Sequence, residues 1–446
     1  MRSHPPRPAR IILSTFGSHG DVLPFIAIGA ALAERGHDVT VATVPGFEAQ
    51  VSRAGLGFRA LCSARQMDEL HSDPHLWHPT RGVRLMFDMA VTLARPELAV
   101  IRDGLSRAAA ENRPFAAVAG PLGFGARLAR DRRRFPLVTT YLAPFLMRSR
   151  SAPPELPGMR LPSWLPGPVV HRLQRALEHT VVDPPRLPSL NRLRRALDLP
   201  PIRNLSDWLP SPDHLLLTAP AWFAQPQSDW PRQTSQVAFP RADPADEGPS
   251  LDGALRRFLR AGPAPVVITY GSSMRYGRRF LEAAARACAE AGQRIVIVYP
   301  QPEQIASLRA PDRMIVRSAP LGALFREARA VIHHGGIGTC ADAFAAGVPQ
   351  IVVPNGFDQG DNAARVARLG VGLRLSRTDL ARSGAAAVAR VLADPAMAEA
   401  CDRVQALCAS RDGVAEACDV IEMAAARGGP ARGDARGAAC LEMPSA

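Results

Sequence analysis

Lysine is absent from this chain: all 54 residues in its Lys plus Arg count are arginine. A Walker-type phosphate loop needs its lysine, so that class of nucleotide hydrolase is excluded. Cysteine is sparse, seven residues at 62, 288, 340, 401, 408, 418 and 440 with no C-x-x-C pair. Such an odd, scattered set argues against a disulfide framework and for reduced, mostly buried thiols of a cytosolic protein. No uninterrupted apolar stretch approaches the ~20 residues of a membrane span. The first ten residues are basic, but the apolar run after them is short and leads to Gly17, Ser18, His19, Gly20 and Asp21. A secretory signal would need an apolar core and a cleavage site there. The expectation is a cytoplasmic chain, with peripheral contact at the inner membrane left open. A G-x-S-x-G nucleophile elbow is also missing.

What is present is ordinary for a soluble protein: 446 residues, 47% hydrophobic, 21% charged, 42 prolines and a formal charge of +13. That length can bury a large core and suggests two large domains or three of average size. The positive charge has two readings. It could attract an acidic substrate, an anionic membrane or nucleic acid, or it could be compositional, with Arg filling solvated faces. Aromatics are 6% of the chain, and no Arg run interleaves with them, which disfavours single-strand nucleic acid.

Short apolar β runs alternate with amphipathic helices. Strands are predicted at Arg10 to Phe16, Asp38 to Val44, Phe115 to Ala119, Leu137 to Tyr141 and His214 to Ala219. A helix from about Val22 to Arg35 follows the first of them, with Pro24 in its first turn. Prolines crowd residues 144–212, read as excursions from the sheet with two short Arg-rich helices. Residues 225–250 lack any period and read as a linker. Alternation then restarts, with strands at Pro265 to Tyr270, Arg294 to Tyr299, Met314 to Arg317, Ala330 to His333 and Gln350 to Val353. Strands separated by helices imply parallel, doubly wound α/β sheets. The division is therefore 1–224, linker 225–250, 251–412, a last helix 413–428 and a tail 429–446 expected to be disordered.

Ligands of such sheets bind where strand carboxyl ends lead into helix N-termini. VIHHGGIGTCADAFAA (331–346) ends a strand at His333-His334 and opens a helix after Gly335, Gly336 and Gly338, with the Thr339 hydroxyl beside them. Bare N–H groups at a helix start make an anion site, unless the glycines serve only a tight turn. Downstream, Asp358, Gln359 and Asn362 crowd the loop after Val353. They suit hydrogen bonds to several hydroxyls, although Asp358 could equally be a plain N-cap. In GSHGDVLP (17–24), Asp21 and His19 are candidate general bases, an N-cap and a solvated loop residue being the plainer readings. His71, His75 and His78 lie close together, but two prolines break any common face and no further ligand completes a zinc set. GPLGFG (120–125) is a weak signal, and Leu85, Met86, Phe87, Met89 and Leu93 read as core.

Taken together, the motifs resemble the UDP-glycosyltransferase superfamily of nucleotide-sugar glycosyltransferases, with its GT-B fold of two Rossmann-like domains facing across a cleft. The matching words run in order: GSHGDVLPF, ALAERGHDVTVAT, PAWFAQPQSDWP, ITYGSS, APLGALF, HHGGIGT, AAGVPQIVVP, DQGDNA and RLGVG. Within it, SDPHLWHP (72–79) and WFAQPQSDWP are most like the rhamnosyltransferases of rhamnolipid biosynthesis. That likeness implies inverting, metal-independent transfer of L-rhamnose from dTDP-L-rhamnose to a 3-(3-hydroxyalkanoyloxy)alkanoic acid, with no cofactor beyond the donor. It implies that His334 meets the donor β-phosphate and that Gly336, Gly338 and Thr339 hold the diphosphate. Ser272 or Ser273 would face it from the opposite loop. Ser318 to Leu321, including Ala319, would flank the base, and Asp358 and Gln359 the sugar. Asp21 stands where many relatives carry a catalytic His, so Asp21 or His19 is the implied base. Partners would be the nucleotide sugar and an acidic lipid, with a membrane or the acyltransferase that makes the acceptor left open. Another lipid, sterol or polyketide acceptor, a silent auxiliary protein of the same fold and a nucleotide-sugar epimerase are the alternatives.

Overall fold

The computed structural model describes residues 7–78, 81–155, 164–241, 251–272 and 274–428. The expected tail 429–446, Ser273, Pro79 and the last nine residues of the expected linker, 242–250, lie outside the described residues.

Seven parallel strands build the first sheet. In chain order its elements are β1 (Arg10–Ser14), α1 (His19–Glu34), β2 (Asp38–Thr43), α2 (Glu48–Arg53), β3 (Gly57–Ala60), α3 (Ala64–Ser72), α4 (Arg81–Ala110), β4 (Phe115–Ala119), α5 (Phe124–Arg132) and β5 (Leu137–Tyr141). Helices α6 (Gly167–Leu177), α7 (Leu187–Ala196) and α8 (Leu205–Trp208) precede β6 (His214–Leu217) and β7 (Thr234–Gln236). The strand order is β3-β2-β1-β4-β5-β6-β7. The second sheet is assembled from α9 (Gly253–Arg260), β8 (Val266–Thr269), α10 (Arg278–Glu290), β9 (Ile295–Val298), β10 (Arg313–Val316), α11 (Leu321–Arg326), β11 (Ala330–His333), α12 (Ile337–Ala346), β12 (Gln350–Val352), α13 (Gln359–Arg368) and β13 (Gly372–Arg374). Its order is β10-β9-β8-β11-β12-β13, again all parallel. Helices α14 (Arg377–Ala393), α15 (Pro395–Ala409) and α16 (Gly413–Gly428) close the chain.

The central strands are buried along their whole length, as strands covered by helices on both faces must be. That explains why they read as continuous apolar runs. The three strands that carried no such signal, β3, β7 and β13, all lie at sheet edges, where one side lacks a partner. Strand β7 corrects the reading of 225–250 as periodless linker: Thr234–Gln236 pairs with β6. Among the described residues of 144–212, α6 and α7 are the two short Arg-containing helices expected there, joined by the four-residue α8, a short helical turn at 144–146 and a five-residue π-helical turn at 178–182.

Helix α16 packs on the first domain. Arg35 reaches Asp419 at 2.6 Å and Glu422 at 3.1 Å, and His37 Nε2 donates to Glu422 at 2.9 Å. Between the domains, rings of Trp222, Phe223, Phe239 and Phe344 cluster, Trp222 edge to face with Phe239 and Phe344 and Phe239 stacked on Phe344, tying the chain after β6 to α12. No helix among the described residues is long and apolar enough to cross a membrane.

Candidate active site

In each sheet the strand order reverses once, between β1 and β4 and between β8 and β11, and ligand crevices form at such points. The residues singled out in the sequence follow β1 in the first sheet and β8, β10, β11 and β12 in the second. All of the second group therefore share one sheet edge. Adjacent strands stand about 4.8 Å apart, so β10 to β12 spans roughly 19 Å, room for an extended ligand.

Helix α1 begins at His19, three residues before the expected start, so His19 and Asp21 sit in its first turn and Pro24 in its second. The cause is a capping arrangement the motif concealed. Ser18 N–H and Oγ donate to Asp21 Oδ2 at 2.8 and 2.9 Å. Gly17 makes room: its φ is +135°, and a side chain there would strike the Asp21 carboxylate. Both bonds use Oδ2 and leave Oδ1 for a ligand. Asp21 stands open to solvent within the cleft, yet the surrounding protein raises its carboxyl above the ordinary aspartate range, against the lowering pull of Ser18. His19 turns to Phe47, ring centroids 5.0 Å apart, and desolvation lowers its pKa.

The glycine turn after β11 is held by a residue pair that sequence reasoning did not assign. His333 is fully buried, accepts from Gly335 N–H on Nδ1 at 3.1 Å and donates from Nε2 to Gln350 Oε1 at 2.9 Å. Burial pushes its pKa down to about 4, which keeps the ring neutral, and the two bonds set its tautomer. His334 is pushed down to about 3 by burial and by its neighbour His333. A neutral imidazole is a hydrogen-bond donor to a phosphate oxygen rather than a counter-ion. Its Nδ1 is buried with no partner among the described groups. The ring lies against two backbones: ideal Cβ atoms on Gly271 and Gly336 would fall 3.0 and 2.6 Å from Nε2.

Helix α12 starts directly after Gly336, and its first turn meets that of α1 across the cleft. An ideal Cβ on Gly338 would lie 3.9 Å from Gly20 Cα. Two positive helix ends thus converge with Thr339 beside them, an arrangement that favours an anion between them. Asp21 supplies one negative charge there already.

Asp358 occupies the N-cap position of α13, but its side chain makes no capping hydrogen bond. Its Oδ2 accepts from Asn362 Nδ2 at 2.7 Å, and that same amide donates to Gly335 O at 2.9 Å. Asn362 therefore joins the Asp358 loop to the glycine turn. Burial first, and the charge of Asp21 second, push Asp358 up to about 7. Gln359 is buried, and its Oε1 accepts from the N–H groups of Asn355 and Gly356 at 2.8 and 3.1 Å. Its carbonyl is committed to loop shape, leaving the amide nitrogen for a ligand. Ser272 is exposed after β8, beside Gly271. Ser318 is exposed after β10, with Ala319 and Leu321 half-buried at the start of α11, the far end of the same edge.

Glu97 on α4 carried no sequence signal, because it sits in a helical stripe after Pro96. It is 2% exposed under the start of α5, where Gly125 N–H donates to Oε2 at 2.7 Å, and burial raises its pKa to about 7. The histidine group at 71–78 does not converge: His75 pairs with Asp73, and His78 accepts from Arg81 N–H. Among the described residues no cluster of three or more His, Cys, Asp or Glu side chains is arranged to hold a metal ion.

Comparison with known proteins agrees with this geometry. Residues 11–106 match the glycosyltransferase family 28 N-terminal domain, and residues 281–423 the erythromycin biosynthesis protein CIII-like C-terminal domain. The chain is 31% identical to the O-mycaminosyltylonolide 6-deoxyallosyltransferase of Streptomyces fradiae, over 93% of this chain and 97% of that one. It is 29% identical to the glycosyltransferase GtfC of Amycolatopsis orientalis, over 82% and 86%. Among solved structures, the glycosyltransferase of kitacinnamycin superposes with a TM-score of 0.68 at 22% identity, covering 94% of this chain and 99% of that one. The spinosyn rhamnosyltransferase SpnG complexed with thymidine diphosphate gives 0.61 at 20%, covering 93% and 100%. With both sheets, the converging helix N-termini and the matched sequence in hand, this chain belongs to the GT-B nucleotide-sugar glycosyltransferases of the family 28 and erythromycin CIII-like kind.

Proposed function

We propose that the chain transfers L-rhamnose from dTDP-L-rhamnose, with inversion, to the hydroxyl of a 3-(3-hydroxyalkanoyloxy)alkanoic acid. The observation that carries the transfer chemistry is one cleft holding two converging helix N-termini and two carboxylates from opposite domains, Asp21 and Asp358. The choice of sugar and acceptor is supported by the words SDPHLWHP and WFAQPQSDWP.

In this reading the donor diphosphate lies against the first turn of α12, with backbone N–H groups at Gly336 and Gly338, the Thr339 hydroxyl and the neutral His334 as donors. Ser272 faces it from the β8 loop, and Ser318, Ala319 and Leu321 border the base. Asp358 and the Gln359 amide hold sugar hydroxyls. The acceptor oxygen attacks the anomeric carbon while its proton passes to Asp21. The bond from that carbon to the β-phosphate oxygen breaks, and its electron pair leaves with the diphosphate. Fixed dipoles aimed at that leaving charge need no reorganisation during the step. Asp21 is the preferred base over His19, since its raised proton affinity suits an alkanol better than an ordinary aspartate does. A polyketide macrolactone acceptor is the second reading, favoured by the 31% identity to an enzyme named for a tylonolide substrate.

The test is mass spectrometry of products from dTDP- and UDP-activated hexoses offered with the lipid acid and with a macrolactone aglycone. A rhamnosylated lipid acid is the expected product. Glycosylation of the macrolactone alone moves the proposal to the second reading, and turnover of the nucleotide sugar without acceptor points to an epimerase.

A further inference from the structure

The segment at 72–79 drew attention for its histidines, but its consequential residue is Trp77. Trp77 is half-buried and packs against both hydrophobic cores, that of the first domain and that of the second. Its base is rigid: the preceding Leu76 is 4% exposed in the first core, and the opening turn of α4 at Gly82 closes on the Leu76 carbonyl. From there the indole crosses the cleft and meets Phe357 edge to face, with centroids 5.6 Å apart and planes at 84°. The Trp77 carbonyl lies 3.7 Å from where a Cβ on Gly356 would stand.

Phe357 has a φ of +53°, a left-handed conformation that a bulky residue adopts only when its surroundings hold it. The next residue is Asp358. Within its own domain the loop is tied by Gln359 Oε1 to the Asn355 and Gly356 N–H groups, by Asn362 Nδ2 to Asp358 Oδ2 and by Arg377 to Asn355 Oδ1, and the ring contact on Phe357 comes from the other domain. The same stretch of the first domain also grips the opposite loop. Arg275 donates to Ser72 Oγ at 2.9 Å and to Asp68 Oδ1 at 3.1 Å, and Tyr276 OH donates to Ser72 O at 3.1 Å. Residues 68–77 therefore touch both loops that border the glycine turn.

We propose that Trp77 is a positioning residue for the donor sugar, holding Phe357 in its left-handed turn and thereby fixing the Asp358 carboxylate from across the cleft. The inference rests on the reading that Asp358 holds sugar hydroxyls. It follows that sugar recognition, and not nucleotide affinity, depends on a side chain of the other domain. Trp77 acts through Phe357, so the signature is selective.

The experiment is calorimetric titration with the nucleotide sugar that the wild-type chain prefers among dTDP- and UDP-activated hexoses, beside its bare nucleoside diphosphate. Trp77→Ala is expected to weaken the nucleotide sugar about tenfold and leave the diphosphate within about twofold. Trp77→Phe should restore most of the loss, and Phe357→Gly combined with Trp77→Ala should lose little beyond the larger single effect. If Trp77→Ala melts early, Trp77→Leu keeps the apolar bulk and carries the same comparison. Equal weakening of both ligands, or of neither, overturns the inference. Asp358→Asn separates the two levels: if it leaves the preference for sugar over diphosphate intact, the functional reading of Asp358 fails and this inference with it. If Asp358→Asn abolishes the preference while the Trp77 variants do not, only the inference falls.

Discussion

Asp21 and Asp358 come from opposite domains, and the charge on Asp21 raises the proton affinity of Asp358 across the cleft. Because the carboxyl of Asp358 is pushed up to about 7, its carboxylate form is lost as pH falls through that value. If the carboxylate accepts from sugar hydroxyls, donor affinity should drop on acidification through pH 7. Asp21→Asn removes the raising charge and should move that midpoint to lower pH. Titrations of the nucleotide sugar at several pH values, wild type against variant, check this; an unmoved midpoint would sink the coupling.

The same substitution separates chemistry from binding. Asp21→Asn should cut turnover by ~10²–10⁴, the usual worth of a general base. The N–H and Oγ of Ser18 can still bond the amide oxygen, so α1 keeps its start and nucleoside diphosphate affinity should stay within about twofold. Retained turnover would transfer the base role to His19.

Gly271 is a second sensitive point. Its φ is +90°, and a Cβ would press on His334 Nε2 at 3.0 Å. Gly271→Ala should destabilise the fold by about 1 kcal/mol or more and weaken diphosphate binding about tenfold, through displacement of His334. Thermal melting and calorimetry report the two effects. Wild-type diphosphate affinity in a folded variant would mean that the His334 ring does not contact the anion.

His334 should act without a charge. With its pKa pushed down to about 3, diphosphate affinity should show no inflection from this ring between about pH 5 and 8. An imidazolium signal for His334 by NMR at neutral pH in the free protein would contradict this.

Glu97 makes a stability prediction of definite sign. Its pKa rises to about 7 on folding, so the native state binds the extra proton between the ordinary glutamate range and 7. Stability contributed by the protonated form is complete below the unfolded pKa and is lost as pH rises through about 7. Glu97→Gln keeps an oxygen for Gly125 N–H and should flatten that slope. Melting temperatures of wild type and variant should agree in acid, where Glu97 is protonated, and separate as pH rises through about 7, the variant then melting higher. Parallel curves would refute it.

The central strands, the glycine turn at 334–339 and the Asp358-Gln359 pair were legible in the sequence, because doubly buried strands and bare helix starts both leave a local signature. The edge strands β3, β7 and β13 were not, since a strand with one free side needs no apolar run. The start of α1 was misplaced by three residues because Ser18 and Asp21 form their cap through a side-chain geometry that GSHGD only permits. His333 and Gln350 were passed over as strand residues, and Asn362 was read only as a partner for ligand hydroxyls, although all three set the shape of the anion turn.

By itself, then, the sequence determined the two wound sheets and the loops at their carboxyl ends, for these follow from periodicity and local backbone chemistry. Only the tertiary structure decided that the first turns of α1 and α12 meet, that Asp21 and Asp358 share a cleft, and that Trp77 reaches Phe357. Those relationships join residues hundreds of positions apart in different domains. They depend on how the two cores are packed together, which no local pattern of residues encodes.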